Sequence, residues 1–397
     1  MTLDRIYQAA HVLKPAVRKT EIIPYPGIKS DCELYLKAEN LQLTGSFKLR
    51  GAYFKISTLS DDEKKKGVIA CSAGNHAQGV ALAAKDMGIS ATIFIPSVSP
   101  LSKIEATRRL GAEVRIVDGV YDDAHKVAIE YQEKSGGVFI HPFNDKDVIA
   151  GQGTIALEIL ESLPDVEAIV APIGGGGLIS GVAYAIKKLK PSCEIFGVQA
   201  ARANCMYASV ECGEPTCLPT VSTFADGIAV KSPGDITFEM CKQYVDKIVT
   251  VTDDEIATAI LTLMEQEKLV SEGAGAVSVA AILFNKLELS GKKVCAIVSG
   301  GNLDVNILSR IINRGLRTTG RLSEMTVEMI DKPGQLQEVS AVIAQLGANI
   351  VKVMHNPSGE NTDINGCYLH LSMETKNKEH FQSIKETMIK KGYRIVG

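Results

Sequence analysis

Residues 170–181, Val-Ala-Pro-Ile-Gly-Gly-Gly-Gly-Leu-Ile-Ser-Gly, join an apolar run to a second apolar run through four consecutive glycines. The pattern predicts a buried strand, a glycine loop and then a helix. Glycines let backbone N–H groups converge on an anion because no Cβ is in the way, and the helix dipole favours negative charge. We interpret Gly174, Gly175, Gly176, Gly177 and Leu178 as a phosphate-binding loop; the alternative is a flexible turn.

The spacing of these glycines narrows the class of phosphate compound. The register does not give GxGxxG, and the next predicted strand ends at Gln199 rather than at an acid for a ribose hydroxyl. The Walker A spacing of nucleotide triphosphatases is absent as well. A cofactor with a single phosphate therefore fits this loop better than a dinucleotide or a nucleoside triphosphate.

Short β-branched runs alternate with helical stretches from residue 64 to residue 315. This alternation predicts an α/β fold in which parallel strands are joined by helical crossovers. The predicted strands are 67–71, 91–95, 113–117, 167–171, 193–198 and 293–299. Ligands of open α/β sheets bind at the carboxyl ends of strands, so the loops that follow these strands are the first places to look for chemistry.

The sequence changes character at residues 316–322, Leu-Arg-Thr-Thr-Gly-Arg-Leu, which are short, basic and polar. We predict a boundary there, with domains at 1–320 and 321–397. The later segment predicts strands at 325–330, 349–354, 368–373 and 393–396, and helices at 335–346 and 379–391. This βαββαβ order is one of the ferredoxin-like arrangements.

Composition excludes several classes of function. A formal net charge of -3 without long runs of one sign gives no footprint for nucleic acid or for an anionic membrane. Nine cysteines without a CxxC pair indicate reduced thiols rather than a disulfide framework or a structural zinc site. The amino terminus lacks a secretion signal, and glycines interrupt the most apolar stretch, so we expect a cytoplasmic protein.

Three further segments carry residues suited to catalysis. The first is 43–52, Leu-Thr-Gly-Ser-Phe-Lys-Leu-Arg-Gly-Ala, which predicts a helix with Lys48 just inside its start. A lysine there opposes the helix dipole, so it gains nothing as a surface charge. An imine with an aldehyde cofactor needs an amine that loses its proton readily, and burial favours that loss. The motif alone leaves open an ordinary solvated lysine.

The second segment, 71–79, contains Ser72, Ala73, Gly74, Asn75 and His76 at the end of a predicted strand. Its N–H groups could hold a carboxylate, and the Asn75 amide could bond a phenolic oxygen. The alternative is a helix start capped by Ser72. We expect His76 to be a structural hydrogen-bonding residue rather than a catalytic base.

The third segment is 298–302, Val-Ser-Gly-Gly-Asn, in which the Ser299 hydroxyl could bond a pyridine nitrogen without requiring its protonation. By itself it is an ordinary turn. The sequence has no GxSxG, HExxH or EF-hand pattern, so the main competing mechanisms lose their support.

Together, the motifs SFKLRGA, SAGNHAQG, GGGGLISG and SGGN resemble the fold type II family of pyridoxal-phosphate enzymes, and within it the threonine ammonia-lyases (threonine dehydratases). The resemblance extends over residues 1–320. It implies that pyridoxal 5'-phosphate forms a Schiff base with Lys48, which also serves as the base at Cα. It further implies that Asn75 bonds the 3'-oxygen, residues 174–178 enclose the phosphate and Ser299 bonds the ring nitrogen.

The resemblance also implies where the substrate binds. Ser72, Ala73, Gly74, Asn75 and His76 would bind its carboxylate, and 226–227 and Glu272 would lie near the ring or substrate. The implied reaction eliminates water from L-threonine to give 2-oxobutanoate and ammonia, and L-serine would give pyruvate. L-Serine ammonia-lyase activity, another lyase or synthase of this fold, and a non-catalytic amino-acid sensor remain as alternatives.

Serine racemases of the same fold differ at two places. They have a second serine where this chain has Ala73, and acidic metal ligands where it has Gln199 and Cys205. We therefore expect elimination rather than racemisation, and no metal. The segment 321–397 resembles an ACT domain, which implies a homo-oligomer, either a dimer or a tetramer. It also implies a small effector, a branched-chain amino acid in a biosynthetic role or a nucleotide in a catabolic one; a purely structural assembly module is the alternative.

Overall fold

The computed structural model describes residues 1–27, 31–356 and 365–396. The chain divides into two compact units, Met1–Asp304 and Val305–Gly397. Val305–Thr318, a helix, belongs to the second unit. The predicted domain boundary after residue 320 stays a prediction.

The first unit contains two sheets. Its strands are β1 (Ile22–Pro24), β2 (Glu33–Ala38), β3 (Val68–Cys71), β4 (Ala91–Pro96), β5 (Glu113–Val117), β6 (Val138–Phe139), β7 (Ala168–Pro172), β8 (Glu194–Ala200), β9 (Lys247–Val251) and β10 (Lys293–Val298). Six strands form a sheet in the order β1-β2-β10-β7-β8-β9, and four form a second sheet in the order β5-β4-β3-β6. All neighbouring strands in both sheets are parallel except β1 and β2.

Helices connect and cover these strands. They are α1 (Leu3–Leu13), α2 (Lys48–Ser57), α3 (Asp61–Lys66), α4 (Asn75–Asp86), α5 (Leu101–Arg109), α6 (Tyr121–Ser135), α7 (Lys146–Ser162), α8 (Gly177–Leu189), α9 (Cys205–Cys212), α10 (Asp235–Tyr244), α11 (Asp253–Thr262) and α12 (Gly273–Leu283). Short helical turns occupy Glu39–Leu41, Asp226–Ile228 and Leu263–Glu267.

The predicted α/β fold is confirmed. Every residue of the central strand β7 is buried, as expected for a parallel strand covered on both faces. The six predicted strands of this unit all exist, with ends that differ by at most two residues. The loops after β3, β7 and β10 therefore follow the carboxyl ends of parallel strands, where the sequence predicted chemistry.

Helix α7 packs against α2 and α8 at points where backbone meets backbone. A Cβ added to Gly151 of α7 would lie 2.6 Å from the Arg50 carbonyl oxygen, and one on Gly181 of α8 would lie 2.3 Å from the Ile149 carbonyl oxygen. A Cβ added to Gly153 would lie 3.0 Å from the Gly181 carbonyl oxygen. The three helices approach this closely only because glycines stand at the crossings.

A buried group of charges joins α2 to β2 and α7. The Arg50 guanidinium lies 2.8 Å from a Glu39 carboxylate oxygen and 2.6 Å from one of Glu158, and the Arg50 and Glu39 side chains are fully buried. The Lys37 amine lies 2.5 Å from Glu158. Each charge is therefore compensated by a partner, which buried charges require.

The second unit is a single antiparallel sheet with helices. Its elements are α13 (Val305–Thr318), β11 (Leu322–Ile330), α14 (Gln335–Gln345), β12 (Asn349–Asn356), β13 (Gly366–Glu374), α15 (Lys378–Lys390) and β14 (Arg394–Ile395). The strand order β12-β13-β11-β14 gives the ferredoxin-like topology that the sequence predicted. Buried residues of α14, α15 and alternate positions of β13 form its core.

Within the described ranges, no helix is long and apolar enough to cross a membrane. None of the nine cysteines, which all lie in the described ranges, forms a disulfide. Most of them are buried, in agreement with the prediction of packed, reduced thiols.

The buried charge group predicts a large loss of stability when one partner is removed. Arg50→Leu should lower the free energy of unfolding by about 3–5 kcal/mol, because Glu39 remains buried without its cation. Urea unfolding followed by circular dichroism measures this loss. Lys19→Ala, which removes an exposed ion pair with Glu161, is the matched control and should cost less than about 1 kcal/mol. Equal losses in both variants would contradict the interpretation.

Candidate active site

Backbone hydrogen bonds join the Lys48 loop to the Ser299 loop. The Phe47 N–H donates to the Ser299 carbonyl oxygen at 3.1 Å, and the Gly301 N–H donates to the Gly45 carbonyl oxygen at 2.8 Å. The Asn302 side chain adds a bond to the Thr44 carbonyl oxygen at 2.8 Å. Two of the predicted motifs, more than 250 residues apart in sequence, are thus neighbours in the structure.

The Lys48 amine is half-buried at the start of α2 and donates to the Pro142 carbonyl oxygen at 2.7 Å. Burial lowers its pKa from 10.5 to about 8, although the charge of Glu272 raises it. A Cβ on Gly79 of α4 would lie 3.1 Å from the Lys48 backbone, so this glycine allows α4 to pack closely against α2. The amine is therefore held in place and is easier to deprotonate than a surface lysine.

The glycine loop joins β7 to α8 as predicted. Gly176 has a φ of +96°, which a residue with a Cβ rarely adopts, and a Cβ on Gly175 would lie 2.5 Å from the Phe143 ring. The Thr237 hydroxyl donates to the Gly175 carbonyl oxygen at 2.6 Å and fixes the loop. The first N–H groups of α8 have no acceptor within the helix, so they can bind an anion.

Asn75 connects two other parts of the site. Its Nδ2 donates to Glu272 Oε1 at 2.5 Å, and its Oδ1 accepts from Asn302 Nδ2 at 2.7 Å. The second hydrogen on Nδ2 is left for another acceptor, such as a phenolic oxygen. The pKa of Glu272 is raised to about 7, mainly by burial and to a smaller extent by the charge of Asp226.

Ser299 is 2 % exposed, and its hydroxyl donates to the Ala274 carbonyl oxygen at 3.4 Å. This distance is near the upper limit for a hydrogen bond. The hydroxyl can therefore exchange this weak contact for a stronger one with a ring nitrogen.

The segment 72–76 follows β3, and all of its residues except His76 are partly exposed. Ser72 does not cap α4: the helix begins at Asn75 after Gly74, and the Ser72 hydroxyl accepts the Gly74 N–H at 3.2 Å. That alternative was wrong because the hydroxyl closes a tight local turn instead. The Ser72 N–H donates to the Phe94 carbonyl oxygen at 3.2 Å. A carboxylate would therefore be met by the Ala73 N–H and by the first N–H groups of α4.

The His76 ring is buried and is hydrogen-bonded to a residue outside this loop. Its Nε2 bonds the Ile140 carbonyl oxygen at 2.7 Å, and burial lowers its pKa to about 3. A neutral, hydrogen-bonded imidazole agrees with the structural role expected for it. The backbone of His76, and not its ring, is therefore the part that would contact the substrate.

The residues 226–227 lie beside Glu272; that both lie near the ring or substrate stays a prediction. A Cβ on Gly227 would lie 3.4 Å from Glu272 Oε1, and Asp226 forms an ion pair with Lys103 of α5. This pair joins the four-stranded part of the unit to the six-stranded part. Lys103 was not predicted as a site residue, since nothing in its helical segment distinguishes it from a surface lysine.

The segment His141-Pro142-Phe143-Asn144 also contributes to the site, although no sequence pattern predicts it. The N–H groups of Phe143 and Asn144 donate to His141 Nδ1 at 3.2 and 2.8 Å, and this turn presents the Pro142 carbonyl oxygen to Lys48. Burial lowers the pKa of His141 to about 4, which keeps Nδ1 an acceptor at neutral pH. The segment follows β6, which has only two residues and gives no hydrophobic run to read.

Gln199 stands at one of the two positions where the serine racemases carry metal ligands, and its side chain bonds the backbone of this chain instead. Gln199 Nε2 donates to the carbonyl oxygens of Ile173 and Ala203 at 3.3 and 3.2 Å, and its Oε1 accepts the Tyr207 N–H at 2.8 Å. Gln199 is thus a buried connector of backbone segments.

The site suits a small phosphorylated aldehyde with an aromatic ring. It offers a glycine loop packed so closely by its neighbours that no Cβ fits, a held amine with a lowered pKa, a spare amide hydrogen on Asn75 and a weakly bonded serine hydroxyl. These four features match the phosphate, aldehyde, phenolic oxygen and ring nitrogen of pyridoxal 5'-phosphate.

Comparisons with known proteins agree with this chemistry. The chain is 52% identical to an L-threonine ammonia-lyase of Thermotoga maritima, over 100% of both chains. A maize serine racemase structure superposes with a TM-score of 0.74 at 37% identity, covering 79% of this chain and 98% of that one. A processed threonine deaminase from Solanum lycopersicum gives a TM-score of 0.74 at 37% identity, covering 79% and 94%.

The model of the family described as "Pyridoxal-phosphate dependent enzyme" matches residues 13–300, which include all four motifs. This chain belongs to the family of pyridoxal-phosphate-dependent enzymes.

Proposed function

We propose that this protein is a threonine ammonia-lyase that converts L-threonine to 2-oxobutanoate and ammonia by β-elimination of water, and L-serine to pyruvate. The observation that carries the proposal is the Lys48 amine, whose pKa is lowered to about 8 by burial and which donates to the Pro142 carbonyl oxygen. The next residue, Phe143, packs against the glycine loop at Gly175. The Thermotoga maritima relative named L-threonine ammonia-lyase, 52% identical over its full length, supports the choice of substrate.

Each part of the site has a proposed task. Pyridoxal phosphate, when bound, supplies an electron-withdrawing ring that acidifies the Cα–H bond of the amino acid. Residues 174–178 hold its phosphate, Ser299 its ring nitrogen and Asn75 its phenolic oxygen. Lys48 anchors it and, as a neutral amine, accepts the Cα proton at Nζ.

The segment 72–76 holds the substrate carboxylate through its N–H groups at the amino end of α4, where the dipole favours an anion. The carboxylate in turn fixes which substrate bond faces Lys48. The β-hydroxyl then takes up one proton, which balances the one that Lys48 removes from Cα, and leaves as water. The enamine that remains hydrolyses to the 2-oxo acid and ammonia.

Elimination is favoured over racemisation although a serine racemase is among the similar structures. Racemisation needs a second group to deliver a proton to the opposite face of Cα. Ala73, in the substrate loop, has only a methyl group and cannot do so.

Residues 321–397 form, in this proposal, a regulatory ACT domain that takes a small effector, within a homo-oligomeric enzyme. The ferredoxin-like strand order supports this assignment. We further propose a cytoplasmic location, which nine cysteines without a disulfide support.

Lys48→Ala should abolish 2-oxobutanoate formation and the visible imine absorbance of the purified enzyme, because no other amine takes its place. The absorbance spectrum with and without L-threonine, together with a 2-oxobutanoate assay, measures both effects. Lys65→Ala, which removes an exposed lysine, is the control and should leave both unchanged. Substantial turnover by Lys48→Ala would show that the lysine is misassigned.

The rate of pyridoxal phosphate uptake by the cofactor-free enzyme should rise with pH and level off near pH 8. Only the neutral amine attacks the aldehyde, and its fraction grows about tenfold per pH unit below the pKa. Visible absorbance recorded after mixing measures this rate.

Glu272→Gln tests the cause of that profile. The Glu272 charge raises the pKa of Lys48, so its removal should move the plateau to lower pH. A profile that keeps rising far above pH 8 in the unaltered enzyme would contradict the lowered pKa.

The regulatory assignment predicts that isoleucine, valine or a nucleoside monophosphate changes the KM for threonine in the intact chain. The same ligands should have no effect on a chain that ends after residue 320. Steady-state kinetics of both forms measure the difference. If all three ligands leave the intact enzyme unchanged, the domain acts in assembly only.

A further inference from the structure

The sheet of the second unit brings three metal-ligating side chains to one end. Cys367 pairs with Met329, the last residue but one of β11, and the Asp331 N–H donates to the Asn365 carbonyl oxygen at 2.8 Å. His355 lies opposite Leu369 on the neighbouring strand. Alternate residues of a strand share a face, so Cys367 and Leu369 lie on the same face of the sheet. His355, opposite Leu369, lies on that face as well.

The ligand atoms of Asp331, His355 and Cys367 all lie within 4.8 Å of one another. His355 Nε2 and Asp331 Oδ1 are 3.3 Å apart. Tetrahedral zinc, with bonds of about 2.0–2.3 Å, places its ligand atoms roughly 3.3–3.8 Å from each other. The carboxylate and imidazole already have this separation, and the thiol, within 4.8 Å of both, needs to move by at most about 1.5 Å.

We propose that Asp331, His355 and Cys367 form a binding site for a divalent transition metal ion of the zinc type, with a fourth position open to water. One thiolate, one imidazole and one carboxylate suit zinc or cobalt. Magnesium and calcium require several oxygen ligands, which this cluster does not supply. The earlier expectation of no metal concerned the positions of Gln199 and Cys205 in the other unit, and not this cluster.

The environment of the thiol agrees with such a site. Cys367 is fully buried, whereas Asp331 and His355 are half-exposed, so an ion would enter from the side of the carboxylate and the imidazole and meet the thiol on the inside.

A metal here would link β11, β12 and β13 at the end of the sheet that leads into α14. The connecting loop passes Gly334, whose φ of +95° sets the turn before the helix. Metal binding would therefore stabilise the folded second unit by mass action.

Cobalt titration of the full-length holoenzyme, first freed of metal with EDTA, tests the proposal. Cobalt d–d bands in the red part of the spectrum do not overlap the pyridoxal chromophore. We expect one cobalt per chain, displaced by one equivalent of zinc. Cys367→Ser and His355→Ala should each weaken cobalt binding at least about tenfold, as loss of metal-site groups does.

Cys212→Ser and Cys217→Ser remove exposed thiols of the other unit and serve as controls that should titrate like the unaltered enzyme. His355 is exposed, so its variant should fold normally even if Cys367→Ser does not, and circular dichroism checks both. Cobalt binding that survives His355→Ala, or that is lost in either control, would overturn the proposal. So would the absence of stoichiometric binding.

Discussion

The close contact of α7 with two other helices is the constraint on which the active site depends. One neighbour, α2, begins with Lys48, and the other, α8, begins where the glycine loop ends. Gly151 and Gly181 let these helices meet α7 backbone to backbone. The distance between the cofactor's aldehyde anchor and its phosphate site is thus set by helix packing within the first two turns of α2 and α8.

Burial, more than any single counter-charge, determines the protonation of the groups in the site. It is the largest cause of the lowered pKa of Lys48 and His76 and of the raised pKa of Glu272. All three side chains are therefore closer to neutral than they would be in water. A site in which the base is uncharged before substrate arrives suits proton removal from carbon at neutral pH.

Sequence patterns predicted the strands, the ferredoxin-like unit and the loops after β3, β7 and β10, because hydrophobic period and glycine spacing are local properties. They did not predict the 141–144 turn, since β6 is too short to give a pattern. Nor did they predict the contacts of Asn75 with Glu272 and Asn302, which lie 197 and 227 residues away. The alternative role of Ser72 as a helix cap was wrong for another reason, since a capping serine and a turn serine look alike in sequence.

The pairing of β2 with β10 has a consequence for how the protein is made. Ala38 lies beside Val298, so strand β2 emerges from the ribosome 260 residues before its partner. Until then its inner edge and apolar side chains have no lasting neighbour there, and such edges invite wrong pairing. The four-stranded sheet, by contrast, is built from one continuous stretch, 68–139, and can assemble early. Completion of the six-stranded sheet is therefore a late event in biosynthesis, for which a nascent chain would benefit from chaperones.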